Sequence, residues 1–411
     1  MQPSLPLEIV GQIVDLLFAE GITRNSEPCS STFQTLLFST RALRLCALRI
    51  LCRAVVVDCD DDKPNDKLRD ILIPGTPNPR LGSIAPFIQS LQINLCNCTS
   101  AGLGEVSVLL DVIVKQCPLQ TLILEGTCYD GSYWNDGVNW TDLPSTIRGG
   151  IGALLQMPML RSLEVASISN LCTDLFGENH RLESLVMKFS EILGSPALTN
   201  LKRIVACDLA QDQIDGVRNI CYNARHTLEE LEIDDDFWDI EAIRRISNSY
   251  SVTDSLHLHS FSKLKKFTYF HNYRALSDDP LCPRILLFQV KGVVPELRSL
   301  HLCVRMDRVY NNRAWSATAA ISRVVDPNWV ALDSHLTSTD FPNLREVHLA
   351  LQQNVDFAYR DYDLDADGTP CRVATKLALQ EKIAASLYHS FPRLKASTNV
   401  KLTIESIVTV E

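Results

Sequence analysis

A short pattern of leucines recurs along the chain after residue 85. Its full form is P-x-L-x-x-L-x-L, as in Pro295 to Leu302, and looser copies lack the proline or carry another aliphatic residue. In each L-x-L the two apolar side chains point to one face of an extended backbone, and the residue between them points to the other. Each copy therefore predicts a short strand with one buried face. The copies begin at Ile88, Leu119, Leu160, Leu182, Leu201, Leu228, Leu264, Leu297 and Leu344, and Leu402 to Ile404 is a candidate for the last strand.

Helix-length stretches lie between the predicted strands, for example Glu105 to Gln116 and Ser145 to Gln156. A unit of one strand and one helix cannot bury its apolar face alone, so such units are expected to stack side by side. The pattern resembles a leucine-rich repeat protein with irregular, degenerate units. That resemblance implies an α/β solenoid, a curved parallel sheet with helices on its convex side. An ordinary α/β domain with leucine-rich strands is the alternative.

The N-terminal segment has a helical pattern instead. Pro6 suits the first position of a helix, where its missing N–H has no intrahelical partner in any case. The apolar residues Ile9, Ile13 and Leu16 then fall on one stripe of that helix. A second helical stretch, Phe33 to Arg53, leads into the valine-rich run from Ala54 to Asp58, which has strand character.

These elements, with L-P-x-E-I opening the first helix and L-C-R closing the second, resemble an F-box of the kind that precedes irregular leucine-rich arrays in fungal proteins. The resemblance covers residues 4–57 and implies binding to the adaptor subunit of a cullin–RING ubiquitin ligase. So small a helical module cannot bury every apolar side chain internally, and a surplus apolar stripe usually means a partner. Packing of the stripe on the first repeat is the alternative. The resemblance assigns the adaptor contact to Leu5, Pro6, Ile9, Ile13 and Leu16.

Two stretches rich in aspartate, proline and glycine, residues 58–64 and 73–79, interrupt all periodicity. The predicted organisation is therefore an F-box-like helical module over residues 1–57, a junction over 58–84 and an irregular leucine-rich-repeat solenoid over 85–411.

Composition narrows the class of protein. A hydrophobic content of 46% and a charged content of 21% over 411 residues are typical of a soluble globular chain with a large core. The formal net charge is -10 and no Lys/Arg-rich run occurs, so we expect no nucleic-acid partner. We expect no membrane span, since no apolar stretch is long enough, and no export signal. Most of the 14 cysteines lie in apolar phrases, which favours reduced thiols and a cytoplasmic or nuclear location.

Candidate catalytic and metal-binding motifs are weak. Asp363 to Gly368 matches the first half of an EF-hand loop, but Ala374 stands where a bidentate glutamate is required, which favours a solvated acidic loop. His257 and His259 would share one face of a strand, yet no third ligand lies at a diagnostic spacing. No nucleophile elbow and no phosphate-binding glycine motif is present. We therefore expect no cofactor, no metal and no enzymatic activity.

The strand pattern also predicts a binding surface. In a horseshoe of parallel strands, the residues that flank the inward leucines form the concave face, and their mixed polar, aromatic and apolar character is typical of protein-binding surfaces. Its sharpest feature is the acidic run Glu230, Glu232 and Asp234, which we expect to receive a basic stretch of a partner; a merely solvated strand is the alternative. The predicted partner-binding residues are Glu164, Arg203, Glu230, Glu232, Asp234, Lys266, Phe270, His301 and His348.

Together these interpretations predict a non-catalytic substrate receptor of a cullin–RING ubiquitin ligase. The N-terminal module would hold the adaptor and the concave face would hold an unidentified target protein. A repeat scaffold that binds proteins without any link to ubiquitin is the alternative.

Overall fold

The computed structural model describes residues 52–59, 65, 68–69, 72, 84–95, 103–126, 137–176, 181–188, 190, 192–193, 198–207, 214–234, 257–273, 292–306, 327–355 and 372–410. The chain forms two compact units, Met1–Leu182 (unit 1) and Glu183–Glu411 (unit 2). Both contain parallel strands together with helices, so the predicted α/β class is confirmed.

Unit 1 contains four main strands that pair side by side in chain order, all parallel. Helix α1 (Leu103–Gln116) connects the second strand to the third, and helix α2 (Ser145–Leu155) connects the third to the fourth. Each connection is the helical crossover that parallel neighbours require. The strands are β1 (Ala54–Asp58), β2 (Ser90–Asn94), β3 (Thr121–Glu125) and β4 (Ser162–Ala166).

The sheet begins one strand earlier than the leucine pattern indicates. Strand β1 was assigned by sequence to the end of the N-terminal module, but it pairs with β2 from Ala54 opposite Ser90 to Asp58 opposite Asn94. Because Val57 is fully buried beside Ile93, this strand belongs to the core of the sheet. The rest of the predicted F-box-like module, residues 1–51, lies outside the described residues.

Unit 2 contains seven main strands, again parallel and paired in chain order. Its helices are α3 (Ile214–Asn223), α4 (Pro327–Leu336), α5 (Arg372–His389) and the short α6 (Pro392–Ala396). The strands are β5 (Ser184–Lys188), β6 (Arg203–Cys207), β7 (Glu230–Asp234), β8 (Lys266–Tyr273), β9 (Ser299–Met306), β10 (Glu346–Val355) and β11 (Lys401–Val410).

The leucine phrases form continuous buried rows within each unit. In unit 1, Leu91, Leu122 and Leu163 are directly opposite one another across neighbouring strands and are fully buried. In unit 2 the corresponding row is 0–1% exposed from β5 to β10. The row therefore removes a contiguous apolar surface from water, which is the main favourable contribution to folding. It consists of Leu185, Ile204, Leu231, Phe267, Leu300 and Val347.

A repeated hydrogen-bond arrangement fixes the register where each strand begins. The carbonyl of Lys265 accepts hydrogen bonds from the backbone N–H groups of Arg298 and Ser299, at 2.8 and 3.0 Å. One oxygen thus holds two consecutive residues of the next phrase, so a slip by one residue would lose both bonds and turn the apolar face outward. The same arrangement recurs at the carbonyls of Arg53, Gln89 and Gln120 in unit 1, and of Glu183, Lys202, Glu229 and Arg298 in unit 2.

A long-range contact fixes helix α6. Asp333 on α4 is 1% exposed, and its two carboxylate oxygens accept hydrogen bonds from the backbone N–H groups of Arg393 and Leu394, both at 2.8 Å. These N–H groups lie at the start of α6 and have no partner within the helix. Asp333 therefore caps a helix that is 60 residues away along the chain.

Two glycines in unit 1 pack against one backbone carbonyl. A Cβ atom on Gly126 would overlap the carbonyl oxygen of Ser167, and one on Gly137 would lie 2.5 Å from the same oxygen. Gly137 also has a φ of 66°, in the left-handed region that favours glycine. The turn after β4 can therefore approach the turn after β3 only because both positions lack a side chain.

We expect Gly126→Ala to lower the free energy of unfolding by about 1–3 kcal/mol, because the methyl group must displace a backbone oxygen. Gly149→Ala is the matched control: Gly149 lies inside α2 with no heavy atom within 4 Å of its added Cβ, so its helix should gain about 0.5–1 kcal/mol. Urea unfolding of both variants tests the assignment. Equal midpoints for the two variants would contradict the close approach.

Candidate functional site

One face of the unit 2 sheet carries the side chains that alternate with its buried rows. Because the strands are parallel and in register, these side chains form cross-strand rows that lie side by side. We call this surface the open face. It includes Ser184, Val186, Arg203, Val205, Glu230, Glu232, Asp234, Lys266, Thr268, Phe270, Ser299, His301, Cys303, Arg305, Glu346 and His348.

The structure brings together all but one of the predicted partner-binding residues. Glu164 lies on β4 of unit 1, in register with Ile123, and the others lie on the open face of unit 2. The register places them in three cross-strand rows. The first contains Arg203, Glu230 and Lys266, the second Glu232, His301 and His348, and the third Asp234 and Phe270.

Several residues that the strand pattern placed on this surface are buried rather than exposed. Val186, Val205, Thr268 and Asp234 are only 5–9% exposed. Neighbouring strands lie about 4.8 Å apart, so the longer side chains of adjacent strands cover the short ones between them. These four residues therefore offer a partner little surface, whereas Arg203, Glu230, Glu232 and the histidines are half-buried or exposed.

Asp234 is held inside the sheet by an arginine two strands away. The Asp234 carboxylate lies 2.7 Å from Nη1 of Arg305, whose guanidinium carbon is also 4.7 Å from the centre of the Phe270 ring. The side chain of Asp234 is 7% exposed and that of Arg305 is 31% exposed. An ion pair so placed is screened by water far less than a surface pair, and the aromatic ring adds a cation–π contact.

Arg305 and Cys303 complete this cluster, although sequence analysis did not select them. The leucine phrase ends at Leu302, but β9 continues to Met306, and its alternation places both residues on the open face. Burial raises the pKa of the Cys303 thiol to about 11, against a smaller opposing effect of Arg305. Cys303 is therefore protonated at neutral pH. Continued period-2 alternation beyond the phrase was the signal that could have revealed these residues.

The acidic run on β7 is largely compensated within the chain. Asp234 pairs with Arg305, and Glu230 lies 3.6 Å from Nε of Arg203 on the neighbouring strand, with both of these side chains about half exposed. Such an exposed pair contributes little to stability. Within the described part of unit 2, Glu232 makes no ion pair. Glu232 is therefore the one carboxylate of the three without a cationic partner among the described residues, although Glu230 is more exposed.

Two histidines lie next to each other on β9 and β10. His301 and His348 are directly opposite, with ring centres 5.3 Å apart and an edge-to-face angle of 79°. Burial lowers the pKa of His301, Lys266 and His348 lower it further, and the carboxylates of Glu346 and Glu232 oppose this. His348 Nε2 lies 3.4 Å from the Glu405 carboxylate but forms no hydrogen bond among the described residues. His301 is therefore neutral at pH 7, and the two rings together offer an aromatic and polar surface.

The candidate metal pair elsewhere in the sequence has a different geometry from that expected. His257 and His259 do not lie on a strand, because Leu258–Ser260 forms a 3-10 turn, and their ring centres are 5.6 Å apart. Among the described residues, no three side chains of histidine, cysteine, aspartate or glutamate are placed to hold a metal ion. The acidic loop Asp363 to Gly368 lies outside the described residues.

The predicted adaptor-binding residues Leu5, Pro6, Ile9, Ile13 and Leu16 all lie outside the described residues. Within the described part of the chain, none of the helices has the length and apolar character needed to cross a membrane.

Comparison of the whole chain with protein-family models and with curated proteins finds no match in either case.

We expect Asp234→Asn to lower the free energy of unfolding by about 1–3 kcal/mol, because an uncharged amide would replace the carboxylate that lies 2.7 Å from Nη1 of Arg305. Glu232→Gln is the matched control, since it removes the same charge two residues away on the same strand, and its effect should stay within about 0.5 kcal/mol. Chemical unfolding of both variants makes the comparison. A loss as large for Glu232→Gln as for Asp234→Asn would mean that the Arg305 pair is not the source of stability.

Proposed function

We propose that this chain is the non-catalytic substrate-recognition subunit of a cullin–RING ubiquitin ligase. In this proposal residues 1–57 contain an F-box-like module that binds the adaptor, and unit 2 presents its open face to the target protein. Support for the first part comes from the sequence alone, from L-P-x-E-I at residues 5–9 directly ahead of the leucine phrases.

We further propose that the paired strands are the units of an irregular leucine-rich-repeat solenoid. The observation that carries the proposal is that each leucine phrase contributes one parallel strand, with its leucines in a shared buried row. A parallel ladder of this kind exposes one face of every strand, and that face can vary without disturbing the core. This is the property a recognition subunit needs.

The accessible part of the open face has the composition of a protein-binding surface. Glu232, Lys266, His301 and His348 are half-buried, so they combine partial exposure with positions fixed by the strands. Phe270 adds aromatic surface beside them, and the Asp234–Arg305 pair holds that ring in place. Aromatic, histidine and charged groups on a rigid platform lose little conformational freedom on binding.

The mechanism requires no chemistry from the chain itself. A receptor that holds the target near the ligase raises the effective concentration of the reacting groups, as any linked pair of binding sites does. Its contribution to the rate comes from proximity and orientation.

The adaptor contact is tested by coprecipitation of the full-length chain with the adaptor. We expect the double variant Ile9→Asp and Ile13→Asp to lose the adaptor, because two charges would enter an apolar interface. A matched control, Glu381→Lys and Lys382→Glu on the exposed surface of α5, should retain it. Equal recovery with wild type and the double variant, or no recovery with either, would reject the adaptor assignment and favour a repeat scaffold without a ubiquitin role.

The target contact is tested separately by quantitative affinity purification from the native cell. We expect Glu232→Lys combined with His301→Ala to lose a defined set of copurifying proteins at least about ten-fold, while adaptor recovery stays unchanged. The exposed-helix control above should keep that set. If the double variant retained every copurifying protein, the open face would not be the target-binding surface.

A further inference from the structure

Strand β11 forms one edge of the sheet among the described residues. It pairs with β10 over its full length, from Lys401 opposite Glu346 to Val410 opposite Val355, without a break in register. The N–H of Lys401 donates to the carbonyl of Arg345 at 2.8 Å, so Lys401 and every second residue after it face β10. The residues between them therefore turn their backbone N–H and C=O groups away from β10. These are Leu402, Ile404, Ser406, Val408 and Val410, and no described residue bonds to these groups.

Within the part of the chain that the structure describes, this edge lacks several of the features that normally protect such a strand. Proteins blunt exposed edges with short strands, prolines, bulges or charges. β11 has ten residues and contains neither a proline nor a bulge, and its only charged residues are Lys401 and Glu405. Ile407 is 41% exposed on the same strand. An unprotected strand of this length is a template for pairing with another strand.

The buried cross-strand rows of unit 2 are also less well buried where they reach β11. Leu402 and Ile404 are only half-buried, whereas their register partners Val347 and Leu349 are 0% and 2% exposed. On the same face of β11, opposite Leu351, Oγ of Ser406 is shielded from solvent and has no hydrogen-bond partner among the described residues. A buried hydroxyl without a partner is costly. Both features are those of a strand that has a neighbour on one side only.

We propose that a second copy of this chain pairs with β11, antiparallel and centred on Ser406. A two-fold axis relates two identical strands only in the antiparallel sense, and it brings the same patch of both copies together. The outward-facing residues then pair with one another and supply about ten hydrogen bonds between the chains. The sheets of the two copies join edge to edge, independently of any role in ubiquitin transfer.

The register follows from the positions of the charged residue and the hydroxyl. A two-fold axis through Glu405 or through Ser406 pairs nine of the residues of β11, which spans Lys401–Val410. An axis through any other residue of the strand pairs fewer. The axis through Glu405 would place Glu405 of one copy opposite Glu405 of the other, and like charges directly opposite are unfavourable. The axis through Ser406 pairs Ile404 with Val408 and places Ser406 of one copy opposite Ser406 of the other. In that register the hydroxyl that lacks a partner gains one.

The oligomeric state of the full-length chain tests the pairing. Sedimentation velocity over a range of concentrations should show a reversible dimer of the wild type. Ser406→Asp should raise the dimer dissociation constant at least about ten-fold, because two carboxylates would face each other across the axis. Glu405→Lys, which lies opposite Ile407 in this register, is the matched control and should leave the dimer intact. A wild-type monomer at every concentration, or a dimer that Ser406→Asp does not weaken, would overturn the proposal.

Cysteine cross-linking tests the register without perturbing the fold. In a hydrogen-bonded antiparallel pair the two Cα atoms are about 5.5 Å apart, within the range that a disulfide spans. Ser406→Cys, a nearly isosteric change, should therefore form a covalent dimer on mild oxidation. Thr403→Cys, which lies opposite Thr409 in this register, should not exceed the wild-type background set by the native thiols. Equal cross-linking at both positions, or none at Ser406→Cys, would overturn the Ser406-centred pairing.

Discussion

The register of the parallel ladder is the constraint on which the rest of this structure depends. At the start of successive strands, one carbonyl accepts two consecutive N–H groups of the next leucine phrase, as Lys265 does from Arg298 and Ser299. This bond pair fixes each strand to within a single residue, and a period-2 element cannot shift by one residue without exposing its apolar side. Continuous buried rows follow directly, and so does the identity of the side chains left on the open face.

Strand length then determines how wide that open face becomes. In unit 2 the strands grow from five residues in β5 to eight in β8 and ten in β10. The longer strands carry the alternation past the end of the leucine phrase, which places Arg305 within reach of Asp234. The acidic run on β7 is therefore not an uncompensated patch. In the proposed role, recognition by this face would depend less on net charge than on the aromatic, histidine and glutamate groups around His301.

Strand β1 of unit 1 and strand β11 of unit 2 differ in their hydrogen-bond partners. In unit 1, strand β1 pairs with β2, although the sequence pattern assigned β1 to a separate N-terminal module. At β11 the backbone groups and the hydroxyl of Ser406 lack partners among the described residues. The interactions proposed for this chain therefore involve the open face of unit 2 and strand β11.

The sequence by itself determined the α/β class, the positions of most strands and the residues that form the buried rows. It did so because a buried parallel strand needs apolar residues at every second position, and that requirement is visible in the L-x-x-L-x-L phrase. It also placed eight of the predicted partner-binding residues on one face, since alternation alone decides which side a strand residue points to. The tertiary structure alone decided which of these are accessible, that Arg305 neutralises Asp234, that Ser167 requires glycine at positions 126 and 137, and that Asp333 caps a distant helix. These contacts join residues far apart in the chain, and no local pattern encodes a distance between two segments that meet only after folding.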